Sequence, residues 1–453
     1  MPSSPDNAAA STSNRVWQLA WPSILSNLLF TTVGFLHIKI VSDLGTSAVA
    51  AVTTGHRVFF LIQAILMGVS VAATALIARH WGANRVDRAE QVTWTTVLLS
   101  VALGAALSLP ALLAPRWIAG LFGLDEQTTA TAASFVFWLG VFNVFSAVNM
   151  MLGTALRAIG NVITPLWYLF FSSLLNVTFA YIAAFGVGPV PQFGVAGVAL
   201  GGSVGALLVT AIFFLRWWRG HYELKALKVA SIDGATTRQL ISIGAPAVLE
   251  QGIVQLAFLV FFAIVGKYGT TAYAAYGIGI SLVSFSIVVG FGFGIAAATL
   301  VGQQLGAGKP ELAVAAGWRS LRMALAAMAL FSVALVYFAT DLARFMIDEP
   351  EVIELTVAFI YIIALVQPLM ACEFTLSGAL RGAGDTRFPL LATFCGIILG
   401  RLLPAWLAAS LGLSVYWIFA VMILDYGIKA AMLISRYRSR KWLHISIAGA
   451  NTQ

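Results

Sequence analysis

The residues of this chain that could do chemistry are few. Glu250, Glu373 and Asp425 are carboxylates, Arg401 and Lys429 are bases close to them in sequence, and His37 stands alone far upstream. Each lies within a run of apolar residues. Burial or a neighbouring like charge favours the protonated form of a carboxyl, so acids in such surroundings are usable proton carriers. An ionisable side chain inside a membrane span is costly and is a functional candidate by default. Asp425 and Lys429 are one helical turn apart and would neutralise each other as a simple intrahelical pair. Arg401 either locks Glu373 or Asp425 until a proton or substrate releases it, or forms a static pair. His37 could titrate near neutral pH, whereas Lys39, two residues on, cannot share its helix face and reads as a snorkelling residue.

Composition says what must hold these groups. Of 453 residues, 60% are hydrophobic and 10% charged, against about 25% charged in an ordinary soluble protein. So little charge cannot cover a water-facing surface, and the chain reads as an all-α polytopic membrane protein. Its 26 Lys and Arg against 18 Asp and Glu are scarcity rather than a basic surface, which excludes nucleic acid as a partner. Cys372 and Cys395 sit in apolar runs without CxxC spacing and read as small buried hydrophobes. No residue set has the spacing of a metal site or of a catalytic dyad, so an enzyme is not expected.

A spanning helix needs about 20 mostly apolar residues, and twelve runs qualify. Six lie near 16–41, 57–79, 92–114, 130–153, 162–186 and 195–217, and six near 241–266, 277–302, 318–340, 352–378, 387–410 and 413–435. Arg and Lys collect after the even-numbered spans, at Arg85, Arg88, Arg157, Arg219, Lys225, Lys309 and Arg381, whereas Asp125, Glu126, Asp348 and Glu349 follow odd-numbered ones. That asymmetry places both termini in the cytoplasm. Glu250 and Asp425 then lie roughly 15 Å and Glu373 roughly 12 Å from the cytoplasmic ends of their spans, at 1.5 Å per residue.

The two halves overlay at a fixed offset of 224 residues. It pairs Pro22 with Pro246, Gly45-Thr46 with Gly269-Thr270, Gly68 with Gly292, Gly82-Ala83 with Gly306-Ala307, and Ala155-Leu156-Arg157 with Ala379-Leu380-Arg381. Each half starts on the same side, so two six-helix bundles, an N lobe and a C lobe, should be related by a pseudo-twofold axis along the membrane normal. The expected divisions are a disordered cytoplasmic tail at 1–14, the N lobe at 15–217, a cytoplasmic linker at 218–240, the C lobe at 241–436 and a cytoplasmic tail at 437–453. Across the offset Glu250 matches Ser26, Glu373 matches Asn149, and Gln251 and Gln255 match Asn27 and Thr31. Charge is thus concentrated in the second half. Asn27, Asn149, Gln251, Gln255, His37 and Arg401 are candidate cavity or charge-partner residues, beside Glu250, Glu373 and Asp425 as the coupling acids. Pro22 and Pro246 are candidate hinges.

The repeated pieces carry a resemblance. Gly-Thr-Ser-Ala-Val-Ala-Ala at 45–51, Gly-Thr-Thr-Ala-Tyr-Ala-Ala at 269–275, Gly-Gln-Gln-Leu-Gly-Ala-Gly at 302–308 and Ser-Gly-Ala-Leu-Arg-Gly-Ala-Gly-Asp-Thr-Arg-Phe-Pro at 377–389 together resemble the multidrug and toxic compound extrusion (MATE) family. The resemblance runs from about Arg15 to Trp442. It implies a monomeric secondary antiporter of the bacterial cytoplasmic membrane, embedded in lipid, that exports small amphipathic compounds by alternating access. It implies no cofactor and an inward coupling ion, with H⁺ favoured over Na⁺. A lipid-linked oligosaccharide flippase of the same superfamily is the alternative. At the positions where the family usually carries coupling carboxylates, this sequence has His37, Ala180, Val254 and Met370. The C-lobe acids Glu250, Glu373 and Asp425 are left to do that work. His56, His80, His221 and His444 are read as interfacial.

Overall fold

The structure is a computed structural model and describes residues 5–226 and 233–445, with side chains from Ser13 onwards. The described residues form helices and contain no strand. The first half holds α1 (Pro5–Ser42), α2 (Thr46–Gly82), α3 (Val86–Leu113), α4 (Pro115–Gly120), α5 (Glu126–Ile159), α6 (Ile163–Phe185) and α7 (Gly194–Trp218). The second holds α8 (Gly234–Gly266), α9 (Thr270–Gly306), α10 (Pro310–Tyr337), α11 (Ala339–Met346), α12 (Pro350–Gly382), α13 (Arg387–Cys395), a π-helical turn (Gly396–Leu402), α14 (Leu403–Ser410) and α15 (Val415–Arg438). Among the described residues, twelve helices are long and apolar enough to cross a membrane, counting α13, the π turn and α14 as one. The short helices α4 and α11 start 224 residues apart, so the repeat extends to these elements too.

Several boundaries differ from those expected. The second and eighth spans start at Thr46 and Thr270, well before 57 and 277. Gly45 (φ 104°) and Gly269 (φ 96°) take a left-handed backbone before each helix, a conformation that glycine adopts at little cost. The Ala-rich stretches after them continue as helix rather than loop. The tail expected to be disordered through Asn14 is helical from Pro5. Proline in the first turn and the alanines behind it favour that start. The tail expected from 437 begins as the end of α15, followed by a 3-10 turn at Lys441–His444 that buries Trp442 against Tyr437. Residues 446–453 of that tail and 227–232 of the linker lie outside the described residues.

The chain divides into two compact units, one of Met1–Ile24 with Ala245–Gln453, the other Leu25–Gly244. The expected N-lobe and C-lobe limits therefore exchange their first helical segments. The changeovers fall within two or three residues of Pro22 and Pro246. Close backbone packing explains them. A Cβ on Gly292 would meet the Ala20 carbonyl at 3.1 Å, and one on Gly244 would meet the Gly68 carbonyl at 2.9 Å.

Each unit is held by small residues that let helices touch, the packing rule of apolar surroundings where no water drives association. In the Leu25–Gly244 unit, Gly197, Gly201 and Gly205 of α7 press on the α6 backbone at Ala183, Phe179 and Leu175. Their core includes Ala51, Val52, Phe135, Ala180 and Val198. In the other unit Gly294 of α9 meets Gly378 of α12, and Ala298 meets Gly382. The core beneath includes Val301, Leu321, Leu376, Leu380 and Tyr437. A side chain at Gly201 must therefore push α6 and α7 apart. Gly201→Val should lower stability by about 1–3 kcal/mol, the usual range for overpacking, read as a lower melting temperature of the purified protein in detergent. Gly412→Ala, at a loop position with open space around it but a left-handed φ of 67°, should cost less.

Candidate functional site

Four elements of one unit bring the charged residues together. Glu250 lies on α8, Glu373 and Arg381 on α12, Arg401 in the π turn, and Asp425 and Lys429 on α15. Glu250 is 6% exposed. Arg381 Nη2 donates to its Oε2 at 2.7 Å, and Thr393 Oγ1 of α13 donates to its Oε1 at 2.7 Å. Asp425 is fully buried between two cations, with Arg401 at Oδ2 and Lys429 Nζ 3.1 Å from Oδ1. Lys429 Nζ also lies 3.3 Å from Glu373 Oε1. Glu373 Oε2 is buried and has no hydrogen-bond partner among the described residues.

Three acids and three bases make this assembly neutral when all are ionised. Neutrality matters because an unpaired charge in a low-dielectric interior costs several kcal/mol. Aromatic faces add to the screening. The Arg401 guanidinium sits 5.7–5.9 Å from the ring centres of Phe258, Phe261 and Tyr426, and Lys429 Nζ is 4.9 Å from that of Tyr426.

Local sequence explains how so many long side chains fit. The span that carries Arg401 is 24 residues long and its repeat counterpart α6 is 23. The π turn sits in the longer one. Such turns widen a helix locally and recur at functional sites. Here the turn begins at Gly396 and contains Gly400, and both glycines face α15. A Cβ on Gly400 would fall 2.6 Å from Asp425 Cα, and one on Gly396 would fall 2.6 Å from both Asp425 Oδ1 and Lys429 Cγ.

Arg401 was expected on Glu373 or Asp425, and it is on Asp425. Asp425 and Lys429 were expected as a simple intrahelical pair, and the pair is instead tied to α12 through Glu373. The three acids do not share one direct partner: Glu250 is held by Arg381 and Thr393, while Glu373 and Asp425 share Lys429. Gln251 and Gln255 are half-buried on α8. Phe258 and Phe261 pack under Arg401.

At the positions matching the three acids the other unit has the uncharged Ser26, Asn149 and Gly201. His37 Nε2 is 2.7 Å from Asn176 Oδ1, and Asn176 Nδ2 donates to the Gly202 carbonyl at 2.9 Å. That arrangement makes His37 Nε2 the donor. Its Nδ1 then accepts from His56 Nε2 at 3.3 Å. His56 was read as interfacial, and this is corrected: it lies ten residues inside α2, because α2 starts at Thr46. Asn149 Nδ2 donates to Thr210 Oγ1 at 3.0 Å, and Asn27 has a buried amide nitrogen without a partner among the described residues. Arg157, the repeat mate of Arg381, donates to Thr154 Oγ1 at 3.1 Å. Sequence reasoning missed Arg381, Thr393, His56 and Asn176 as site residues. The repeat held a signal for Arg381, since an Arg stands at the same register of both halves. No group of three or more His, Cys, Asp or Glu able to hold a metal occurs among the described residues.

Twelve spanning helices in two repeated halves, with a buried mixed-charge cluster in one of them, define a polytopic membrane transporter rather than an enzyme. The profile of the MatE family matches residues 22–182 and 246–407, two stretches that begin 224 residues apart. The chain belongs to that family. It is 27% identical over 432 residues to the "Probable multidrug resistance protein NorM" of Thermotoga maritima, across 94% of this chain and 92% of that protein. Its fold matches the Vibrio cholerae MATE transporter VcmN, both as a point mutant (TM-score 0.89, 20% identity, 97% of this chain and 100% of that one) and in a bent form (TM-score 0.88, 20% identity, 96% and 99%).

The pairing of Asp425 generates a stability test. Removing one member of a buried ion pair leaves the others uncompensated, so Asp425→Ala should cost about 3–5 kcal/mol. Arg440→Ala, which breaks an exposed pair with Glu311, should cost no more than about 1 kcal/mol. Chemical or thermal unfolding of the purified variants distinguishes the two.

Proposed function

We propose that this protein is a proton-coupled exporter of small amphipathic compounds, drugs among them, working as a monomer by alternating access with both termini in the cytoplasm. The observation that carries the proposal is Glu373: a partly buried acid with one oxygen held by Lys429 and the other, itself buried, without a partner among the described residues. A proton arriving at Oε2 neutralises Glu373 and weakens its hold on Lys429, which keeps Asp425 as its partner. The group then changes from neutral to one positive charge. A charge change of that kind, in a low-dielectric site, alters the relative stability of two conformations by the differential affinity of each for the proton. Glu250 is tied through Arg381 to the helix that carries Glu373, so the two acids belong to one assembly. Pro22 and Pro246, close to the changeovers between units, supply weak points in α1 and α8 about which such a change can act. The multidrug name of the Thermotoga relative and the bent form of the Vibrio transporter support export and bending respectively.

Glu373→Gln and Glu250→Gln should each abolish substrate efflux driven by a pH gradient in proteoliposomes, with substrate still bound. His37→Ala should retain gradient-dependent efflux, because its hydrogen-bond chain carries no acid. Wild-type transport by both glutamine variants would sink the assignment, and loss of gradient dependence in His37→Ala would move coupling to the other unit.

A further inference from the structure

We propose that Lys429 sets the ion selectivity of this protein: it is a tethered cation that fills the place between the Glu373 and Asp425 carboxylates, keeps Na⁺ out and restricts coupling to protons. The inference rests on Glu373 as the proton carrier and adds what determines which ion can use it.

Three observations carry it. The first is occupancy. Lys429 Nζ lies 3.3 Å from Glu373 Oε1 and 3.1 Å from Asp425 Oδ1, with its side chain almost completely buried. It stands where a cation bridging two carboxylates would stand. The second is the oxygen inventory. Glu250 gives one oxygen to Arg381 and one to Thr393, Asp425 gives one to Arg401 and one to Lys429, and Glu373 gives one to Lys429. Among these six, Glu373 Oε2 is the one with neither an ion-pair nor a hydrogen-bond partner among the described residues, since both Asp425 oxygens face a cation. A hard metal cation is bound by several oxygens at once, whereas a proton needs one. The third is that the helix packing is built around this lysine. Its stem runs across Gly396, where a Cβ would come 2.6 Å from Cγ and 2.9 Å from Cε, and its ammonium lies over the Tyr426 ring. A side chain at residue 396 would obstruct that path.

Removing the lysine charge leaves three acids against two bases and frees two carboxylate oxygens beside the one already open. The test uses full-length protein purified in detergent, with binding of radiolabelled sodium measured at equilibrium, and the same protein in proteoliposomes. Wild type should bind no sodium saturably, and its efflux should follow the pH gradient and ignore a sodium gradient. Lys429→Met should gain saturable sodium binding, lost again in Lys429→Met/Glu373→Gln, while Lys429→Arg should bind none. If Lys429→Met gives no folded protein, Lys429→Gln, whose amide is neutral and of similar reach, carries the same expectation. A folded Lys429→Met or Lys429→Gln that binds no sodium, or a wild type driven by sodium, overturns the proposal. The underlying reading fails separately, if Glu373→Gln retains proton-driven efflux. Equilibrium sodium binding by Lys429→Met reports on the lysine whether or not transport is proton-driven.

Discussion

Everything distinctive about this protein follows from placing charge where there is no water to solvate it. Within the membrane-spanning helices of one unit, Glu250, Glu373, Asp425, Arg381, Arg401 and Lys429 form one assembly in which each acid is matched by a base at ion-pair distance. In a medium that cannot screen them, these groups cannot be treated singly. Asp425 is tolerable because Arg401 and Lys429 flank it, Lys429 because Asp425 and Glu373 flank it, and Arg401 because Asp425 and three aromatic faces surround it. The cluster ties α12, the π turn and α15 to one another more specifically than apolar contact could. It also leaves one member, Glu373, with a vacant oxygen.

The glycines show what that arrangement demanded of the backbone. In the Leu25–Gly244 unit the last helix, α7, carries Gly197, Gly201 and Gly205 and lies directly on α6. In the other unit the corresponding last helix, α15, carries Asp425 and Lys429 on its inward face, and the glycines have moved to the helix opposite, at Gly396 and Gly400. Helices still approach closely: Gly400 lies on the α15 backbone at Asp425, whereas the space released by Gly396 is filled by the side chains of Asp425 and Lys429. The π turn adds one residue to the span and lets Arg401 reach Asp425 without breaking the helix. One helix pair thus uses the same packing rule as its repeat and obtains a polar interior from it.

Much of this was legible in the sequence, because the signals are local or periodic. Apolar runs declare spans, and a repeat of fixed offset declares two similar halves. Asp425 and Lys429 declare a pair because four residues on a helix make neighbours. What depends on how helices turn toward one another was not legible. Nothing in residues 250, 381 and 393 says that α8, α12 and α13 present them to one point. The π turn has no pattern of its own, and Gly396 and Gly400 read equally well as plain helix contacts. His56 was misplaced for a simpler reason: the small polar stretch from Thr46 to Gly55 suggested a loop, and without its true helix start the residue could not be seen facing His37. The unit boundaries were missed similarly, since the contacts of Gly244 and Gly292 are long-range.

The asymmetry between the two units has a physical reading of its own. A transporter with equal buried charge in both repeats would incur the cost of burial twice and would have two sites competing for one ion. Here the Leu25–Gly244 unit answers Glu250 and Glu373 of its counterpart with Ser26 and with Asn149, which donates to Thr210, and it carries the hydrogen-bonded chain His56–His37–Asn176–Gly202 besides. Such a chain offers directional hydrogen bonds rather than charge. The mixed-charge cluster, by contrast, is poised so that one proton converts balance into imbalance. Under the proposed coupling, confining that sensitivity to one unit lets a single protonation event act there, while the hydrogen-bonded chain from His56 to Gly202 contains no acid to respond.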